Sequence, residues 1–125
     1  MSVRKQRHFM HGDQTTITVG ATNAQTLIDL TAPYIGARID SFTLTQKTAG
    51  TGTGSFTLLI EEQGGTDLTG TVTVAPDAAA ETIHGTASGI NVKASATGVH
   101  LAVKTTKTGT VTDSCVMILN ILWQM

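Results

Sequence analysis

The chain has little of what most small enzymes and membrane proteins depend on. Of its 125 residues only 14 % are charged and 4 % aromatic, and there is a single cysteine. One cysteine cannot form an internal disulfide, and Cys115 stands in an apolar run, where we expect it to be buried. No stretch approaches the roughly 20 consecutive apolar residues of a membrane-spanning helix. The charged share is well below the roughly 25 % of an ordinary soluble domain, so neutral side chains must cover much of the surface.

The charge balance argues against partners that bind through strong long-range electrostatic attraction. The formal net charge is −1, which gives no strong long-range attraction to nucleic acid or to an anionic membrane. We therefore expect no specific nucleic acid and no membrane as partners. The first eight residues carry the positive charge of a secretion signal, but no apolar segment follows them. We expect a protein that is made in the cytoplasm and is not secreted.

Threonine and a period-2 pattern dominate what is present. Roughly one residue in five is threonine, a β-branched residue that favours strands over helices. Apolar side chains alternate in segments such as Thr15–Val19 and Phe56–Ile60, and turn residues separate about eight such segments at spacings of roughly 8–12 residues. The sequence predicts an all-β fold, a single antiparallel β-sandwich. A jelly roll is the first choice of topology, and a seven-stranded immunoglobulin-like sandwich is the second.

Two segments depart from simple alternation. Ile39 and Phe42 lie at opposite parities, and one period-2 strand cannot bury both on the same face, so we expect a bulge near Asp40–Ser41. The last strand, roughly Val111 to Trp123, is apolar at both parities. It should therefore be covered on both faces, either as a central strand or beneath a neighbouring subunit.

The N-terminal segment stands apart from the rest by its charge. We divide the chain into a basic N-terminal arm, residues 1–12, and a β-sandwich domain, residues 13–125. All nine acidic residues lie in the second part, beginning at Asp13, so the arm is suited to reach an acidic surface on a partner. The residues expected to make that contact are Arg4, Lys5, Arg7, His8, Phe9 and Met10.

No set of residues suggests catalysis or metal binding. His8 and His11 are three residues apart but lack the third and fourth ligands that a zinc site needs. Glu61 and Glu62 are adjacent on a strand and point to opposite faces, so they cannot act as a paired acid and base; a solvated strand end is the expected environment. We expect no enzymatic activity, no metal and no cofactor.

Several segments together resemble a known class of protein. They are Phe42–Lys47, Ser55–Ile60, Gly70–Pro76 and Leu101–Val111, threonine-rich strands joined by Gly/Thr loops. The chain resembles, over roughly residues 14–124, the small β-sandwich proteins of tailed-bacteriophage virions, and in particular the jelly-roll cement or decoration proteins of capsids. No single motif is diagnostic, and tail and baseplate proteins share the same style.

The resemblance implies a virion protein that binds the outer capsid surface and bridges subunits of the major capsid protein to stabilise the shell. Repetition over a lattice lets each contact be individually weak. It also implies a homodimer or homotrimer, for which Ile121, Leu122 and Trp123 offer an apolar self-association surface. The alternative is a β-sandwich module of a tail or appendage that binds a receptor or glycan, with Tyr34 as the one loop aromatic available for stacking.

Overall fold

The computed structural model describes residues 10–19, 24–33, 36–49, 54–75, 79–88, 94, 99–109 and 115–124. Within these ranges the chain forms eight β-strands. Their bounds are Met10–Val19 (β1), Ala24–Thr31 (β2), Arg38–Gln46 (β3), Ser55–Glu62 (β4), Val72–Val74 (β5), Ile83–Ser88 (β6), His100–Thr108 (β7) and Cys115–Gln124 (β8). Residues 1–9 of the arm and Tyr34 lie outside the described residues.

The strands form two four-stranded antiparallel sheets that pack as a sandwich. Sheet A has the order β1-β8-β3-β6, and sheet B has the order β2-β7-β4-β5. In these orders β1 pairs with β8, β2 with β7, β3 with β6 and β4 with β5, so the two halves of the chain pair as one long folded hairpin. Two further pairings, β3 with β8 and β4 with β7, roll this hairpin up. This is the jelly-roll topology, and the prediction of an all-β jelly-roll sandwich is confirmed.

The core lies between the sheets and is built from the alternating residues that the sequence indicated. Phe56, Leu58 and Ile60 of β4 are fully buried, and Val72 and Val74 of β5 are buried beside them. The largest fully buried apolar side chains are Trp123, Phe42, Phe56, Leu44, Leu58, Ile60, Leu68, Leu101, Met117, Leu119 and Ile121.

The expected bulge in β3 is present, whereas the expected cover on both faces of β8 is only partly observed. The pairing of β3 with β8 shifts register between Ile39 and Ser41, and this bulge lets Ile39 and Phe42 both point into the core. β8 is a central strand of its sheet, flanked by β1 and β3, but within the described chain only its inner face is fully buried, and its outer residues Val116, Ile118, Asn120 and Leu122 are half-buried. Cys115, its first residue, is buried as expected.

The strand pairing gives the sandwich two distinct ends. At the proximal end, β1 begins at Met10 opposite Gln124 of β8, and β3 begins at Arg38. At the distal end, β3 ends at Gln46, β6 begins at Ile83 and β8 begins at Cys115. Residues 1–9 are thus joined to the sandwich at its proximal end.

Candidate interaction surface

The first strand begins earlier than the charge pattern indicated. Met10, His11 and Gly12, assigned to the arm, belong to β1 and pair with Gln124, Trp123 and Leu122 of β8. The predicted boundary after residue 12 was placed where the charge pattern changes, whereas β1 begins at Met10 because its backbone pairs with β8 from that residue onward. We therefore restrict the name arm to residues 1–9, which hold the proposed contact residues Arg4, Lys5, Arg7, His8 and Phe9.

The three residues expected to form a self-association surface point in two directions. Ile121 and Trp123 face the inside of the sandwich, where they are 2 % and 0 % exposed. The indole Nε1 of Trp123 donates a hydrogen bond to Oδ2 of Asp13 at 2.9 Å. Leu122, at the intervening parity, lies half-buried on the outer face of sheet A. The self-association hypothesis must be corrected accordingly: Ile121 and Trp123 belong to the core, and of the three only Leu122 can meet a partner.

The central part of the outer face of sheet A carries no ionisable side chain among the residues described there. β8 presents an apolar row with one amide, and β1, β3 and β6 flank it with threonines, small residues and an isoleucine that is 67 % exposed. We call this set the neutral face: Gly12, Gln14, Thr16, Thr18, Ser41, Thr43, Thr45, Ile83, Ser88, Val116, Ile118, Asn120 and Leu122. The charged residues Arg38, Asp40 and Lys47 stand beyond it, at the two ends of β3. The neutral face is suited to contact another protein surface without a cost for desolvating charge.

The neutral face is not flat. A depression of about 470 Å³ lies across β1, β8 and β3 and is lined on the outer side by Gly12, Ser41, Asn120 and Leu122, among others. It opens outward, because Phe42 beneath it fills the core. Gly12 has no side chain, and no atom lies within 4 Å of the place where a Cβ would be. Small residues on both sides of β8 thus leave room beside Leu122.

The outer face of sheet B has a different character. Lys104 is exposed on it, and Leu27 is 51 % exposed. Glu61 also points to this side, yet it is only 2 % exposed and accepts a hydrogen bond from Nε2 of Gln25. Glu62, on the inner side, is 6 % exposed. The expectation of a solvated strand end was therefore wrong for both glutamates. Gln25, the hydrogen-bond donor to Glu61, is 36 residues away in sequence, so only the fold brings the two side chains together.

His84 forms a side-chain hydrogen bond at the distal end of the sandwich. Nε2 of His84 lies 2.7 Å from Oε1 of Gln46, whose Nε2 donates to the carbonyl of Thr48 at 2.8 Å. Because Oε1 can only accept, His84 donates the proton on Nε2, and a second proton would have to go on Nδ1. Partial burial lowers the pKa of His84 below its ordinary value. This contact ties the edge strand β6 to the end of β3.

Neither a cluster of metal ligands nor a membrane-spanning helix is found among the described residues. In the part of the chain that the structure describes, no three His, Cys, Asp or Glu side chains come together as a metal site would require. The same ranges contain no helix of the length and apolar character needed to cross a membrane.

Comparison with known proteins finds the same fold in viral particles. No protein-family model and no curated protein sequence matches the chain. Its fold is similar to that of a chain in the capsid asymmetric unit of cyanophage Pam1, with a TM-score of 0.61 and 10% sequence identity over 100% of this chain and 92% of that chain. It is also similar to a chain in the acid-stable capsid structure of Helicobacter pylori bacteriophage KHP30, with a TM-score of 0.52 and 12% identity over 95% of this chain and 94% of that chain. A chain from the disulfide-linked endospore appendage pili of Bacillus aligns at a TM-score of 0.43 and 14% identity. The expected resemblance to phage capsid proteins is confirmed at the level of the fold.

Proposed function

We propose that this protein is a structural component of a bacteriophage virion and serves as a capsid cement, or decoration, protein. One observation carries the proposal: the whole chain matches, as a single jelly roll, nearly the whole of a chain in the Pam1 capsid structure. The similar fit to a chain of the KHP30 capsid structure supports it.

The physical character of the sandwich suits a clamp between shell subunits. Two hydrogen-bonded sheets enclose one continuous core, so the body resists deformation when the shell is loaded. Its surface carries little charge, and the neutral face offers uncharged contact whose strength should depend little on salt. A contact repeated over every lattice position gains avidity, so each copy needs only modest affinity.

In this proposal the arm makes the contact with the major capsid protein. Residues 1–9 are joined to the proximal end, and their basic residues Arg4, Lys5 and Arg7 would reach an acidic groove on the shell. Phe9 follows them in sequence and precedes Met10, the first residue of β1. The protein is made in the host cytoplasm and ends in the virion.

The test is attachment to expanded capsids that lack the protein. The full chain should bind saturably and raise the temperature at which the capsids come apart. A chain that begins at Met10 keeps all of β1, so it should fold normally, melt like the full chain and bind weakly. A triple variant with Arg4, Lys5 and Arg7 changed to Gln should behave in the same way.

The matched control is Lys47→Gln, which removes an exposed positive charge at the distal end. We expect it to bind like the wild type. Equal attachment by the chain lacking residues 1–9 would disprove the role of the arm. Particle fractions from a density gradient test the wider proposal: a copy number comparable to that of the major capsid protein supports a cement role, whereas a few copies per particle would assign the chain to the tail or an appendage.

A further inference from the structure

The neutral face has the properties of a surface that meets its own copy. We propose that a second copy of this chain packs on the neutral face through a two-fold axis that passes over Asn120 and runs across the strands of sheet A. The inference does not depend on the identity of the particle to which the protein binds, because it rests on this face alone.

The first step is charge. In a two-fold contact the same patch is presented by both partners, so any charge near the axis meets a like charge. Every position of the neutral face is uncharged, whereas the outer face of sheet B exposes Lys104. Three charged residues lie beside the neutral face, Arg38 and Asp40 at the proximal end of β3 and Lys47 at its distal end. The two-fold axis sets these two ends over each other, so charges of both signs meet on the rim of the contact, where solvent and salt screen them. Sheet A is therefore the face on which two copies can pack with the least electrostatic repulsion.

The second step is shape. The depression beside Gly12 and Leu122 lies on the proximal side of Asn120. On the distal side stand Ile118 of β8 and the largely exposed Ile83 of β6. A two-fold axis that runs perpendicular to the strands at Asn120 places each strand of one copy over the same strand of the other copy, in the opposite direction. The proximal side of one copy then faces the distal side of the other. Each copy then places Ile118 over the depression of the other, against Leu122, and places Ile83 over the small side chain of Ser88.

The third step is the polar residue at the centre. Asn120 is the one polar side chain in the outer row of β8 between Val116 and Leu122. Within the described ranges the side-chain carboxamide of Asn120 forms no hydrogen bond with another residue. A carboxamide carries both a donor and an acceptor, so two copies related by a two-fold axis can pair through two equivalent hydrogen bonds. A buried Asn pair of this kind fixes the register of a contact, as a single Asn pair does in the core of a coiled coil.

The fourth step is area. At about 4.8 Å per strand and 3.3 Å per residue, the four strands and the seven residues from Gly12 to Thr18 span roughly 19 Å by 23 Å, a projected area of about 440 Å². A stable interface buries about 800 Å² per partner. The contact should therefore be weak in dilute solution and become populated as the protein is concentrated or held side by side.

Proximity across the axis can be measured with Thr43→Cys. Thr43 pairs with Asn120 and so lies in the row of the axis, which places it opposite its own counterpart while leaving Asn120 intact. Face-to-face sheets pack about 10 Å apart, too far for a disulfide, whose Cα atoms lie within about 6.8 Å; a short bis-maleimide is the suitable reagent. The native Cys115 is buried and should not react.

The control is Thr106→Cys, an exposed threonine on the central strand β7 of sheet B. We expect cross-linked dimer to form at least about tenfold faster with Thr43→Cys, because the contact raises the effective concentration of the two thiols towards the millimolar range. Equal rates for the two variants would overturn the proposal.

The register is tested by a complementary pair of variants. Ile118→Lys and Leu122→Asp should each be monomeric in sedimentation experiments at concentrations where the wild type associates. Mixed together they should form a heterodimer, because the axis at Asn120 places the introduced lysine of one chain opposite the introduced aspartate of the other. Both substituted positions lie on the outer face, so the core remains intact. A wild type that stays monomeric throughout, or a mixture that fails to associate, would refute this geometry.

Discussion

Substitution of Trp123 distinguishes two roles for its side chain, a contact between copies and a part of the core. If it were a self-association residue, its removal would weaken contacts between copies and leave the monomer stable. The structure places its side chain in the core at 0 % exposure, with its indole bonded to Asp13. Trp123→Ala should therefore destabilise the monomer itself.

The size of the effect follows from burial. Truncation of a buried Trp to Ala costs about 3–5 kcal/mol in the free energy of unfolding, from lost transfer energy and the cavity left behind. With an unfolding entropy of about 2.1 cal/mol/K per residue, a chain of this length should lose about 11–19 °C in melting temperature. That is a large share of the roughly 5–15 kcal/mol that holds a domain folded.

The assay is thermal unfolding followed by far-UV circular dichroism, because the variant lacks the only tryptophan and fluorescence would not compare the two proteins. Trp123→Phe is the companion variant: it keeps most of the volume but removes the N–H donor to Asp13, and should cost about 1–2 kcal/mol. If Trp123→Ala melted within about 3 °C of the wild type while cross-linking between copies fell, the indole would lie on the surface and the reasoning would fail.

Three further outcomes are expected. His84 has a lowered pKa in the folded state, whereas in the unfolded chain it has the ordinary value of 6.5. The folded state therefore binds fewer protons, so the free energy of unfolding should fall as the pH drops below about 6.5. Urea unfolding at several pH values should show this fall, and the fall should be smaller in His84→Gln. Gln25→Ala should cost about 1–3 kcal/mol because it strands the buried Glu61, and the same change should cost less in a Glu61→Leu background, a difference that a double-mutant cycle measures. Gly109 has a φ of 78° and a Cβ there would lie 3.1 Å from a backbone Cα, so Gly109→Ala should lower the melting temperature, whereas Gly12→Ala, with open space around it, should leave it unchanged or raise it slightly.

The fold could be predicted from sequence because its signals are local. The opposite parities of Ile39 and Phe42 were sufficient to locate the bulge in β3, and the doubly apolar run of β8 predicted a central strand. Each of these inferences needed only the period of 2 that a strand imposes. The number and spacing of the strands, together with the resemblance to capsid proteins, favoured a jelly roll over an immunoglobulin-like sandwich, but the order of the strands in the two sheets could not be predicted, because it depends on pairing between distant segments.

The surface could not be predicted in the same way, because it depends on pairings between distant segments. The start of β1 at Met10 is decided by β8, which lies roughly one hundred residues later. Burial of Glu61 requires Gln25 from another strand. Alternation in β8 alone separated Leu122 from Trp123, yet nothing local indicated which parity faced the core. The neutral face emerges only when β1, β8, β3 and β6 are set side by side.

The pairing of the first strand with the eighth has a consequence for biosynthesis. During translation β1 leaves the ribosome early, but its hydrogen-bonding partner, β8, is made last of the described strands. Sheet A cannot be completed on a partial chain, and until then the apolar face of β1 has no β8 to pack beside. Contacts so distant in sequence make folding slow, and a waiting chain with an unpaired strand is prone to aggregate. The emergence of β8 from the ribosome should therefore be the event that permits productive folding, and chains terminated before β8 should be insoluble.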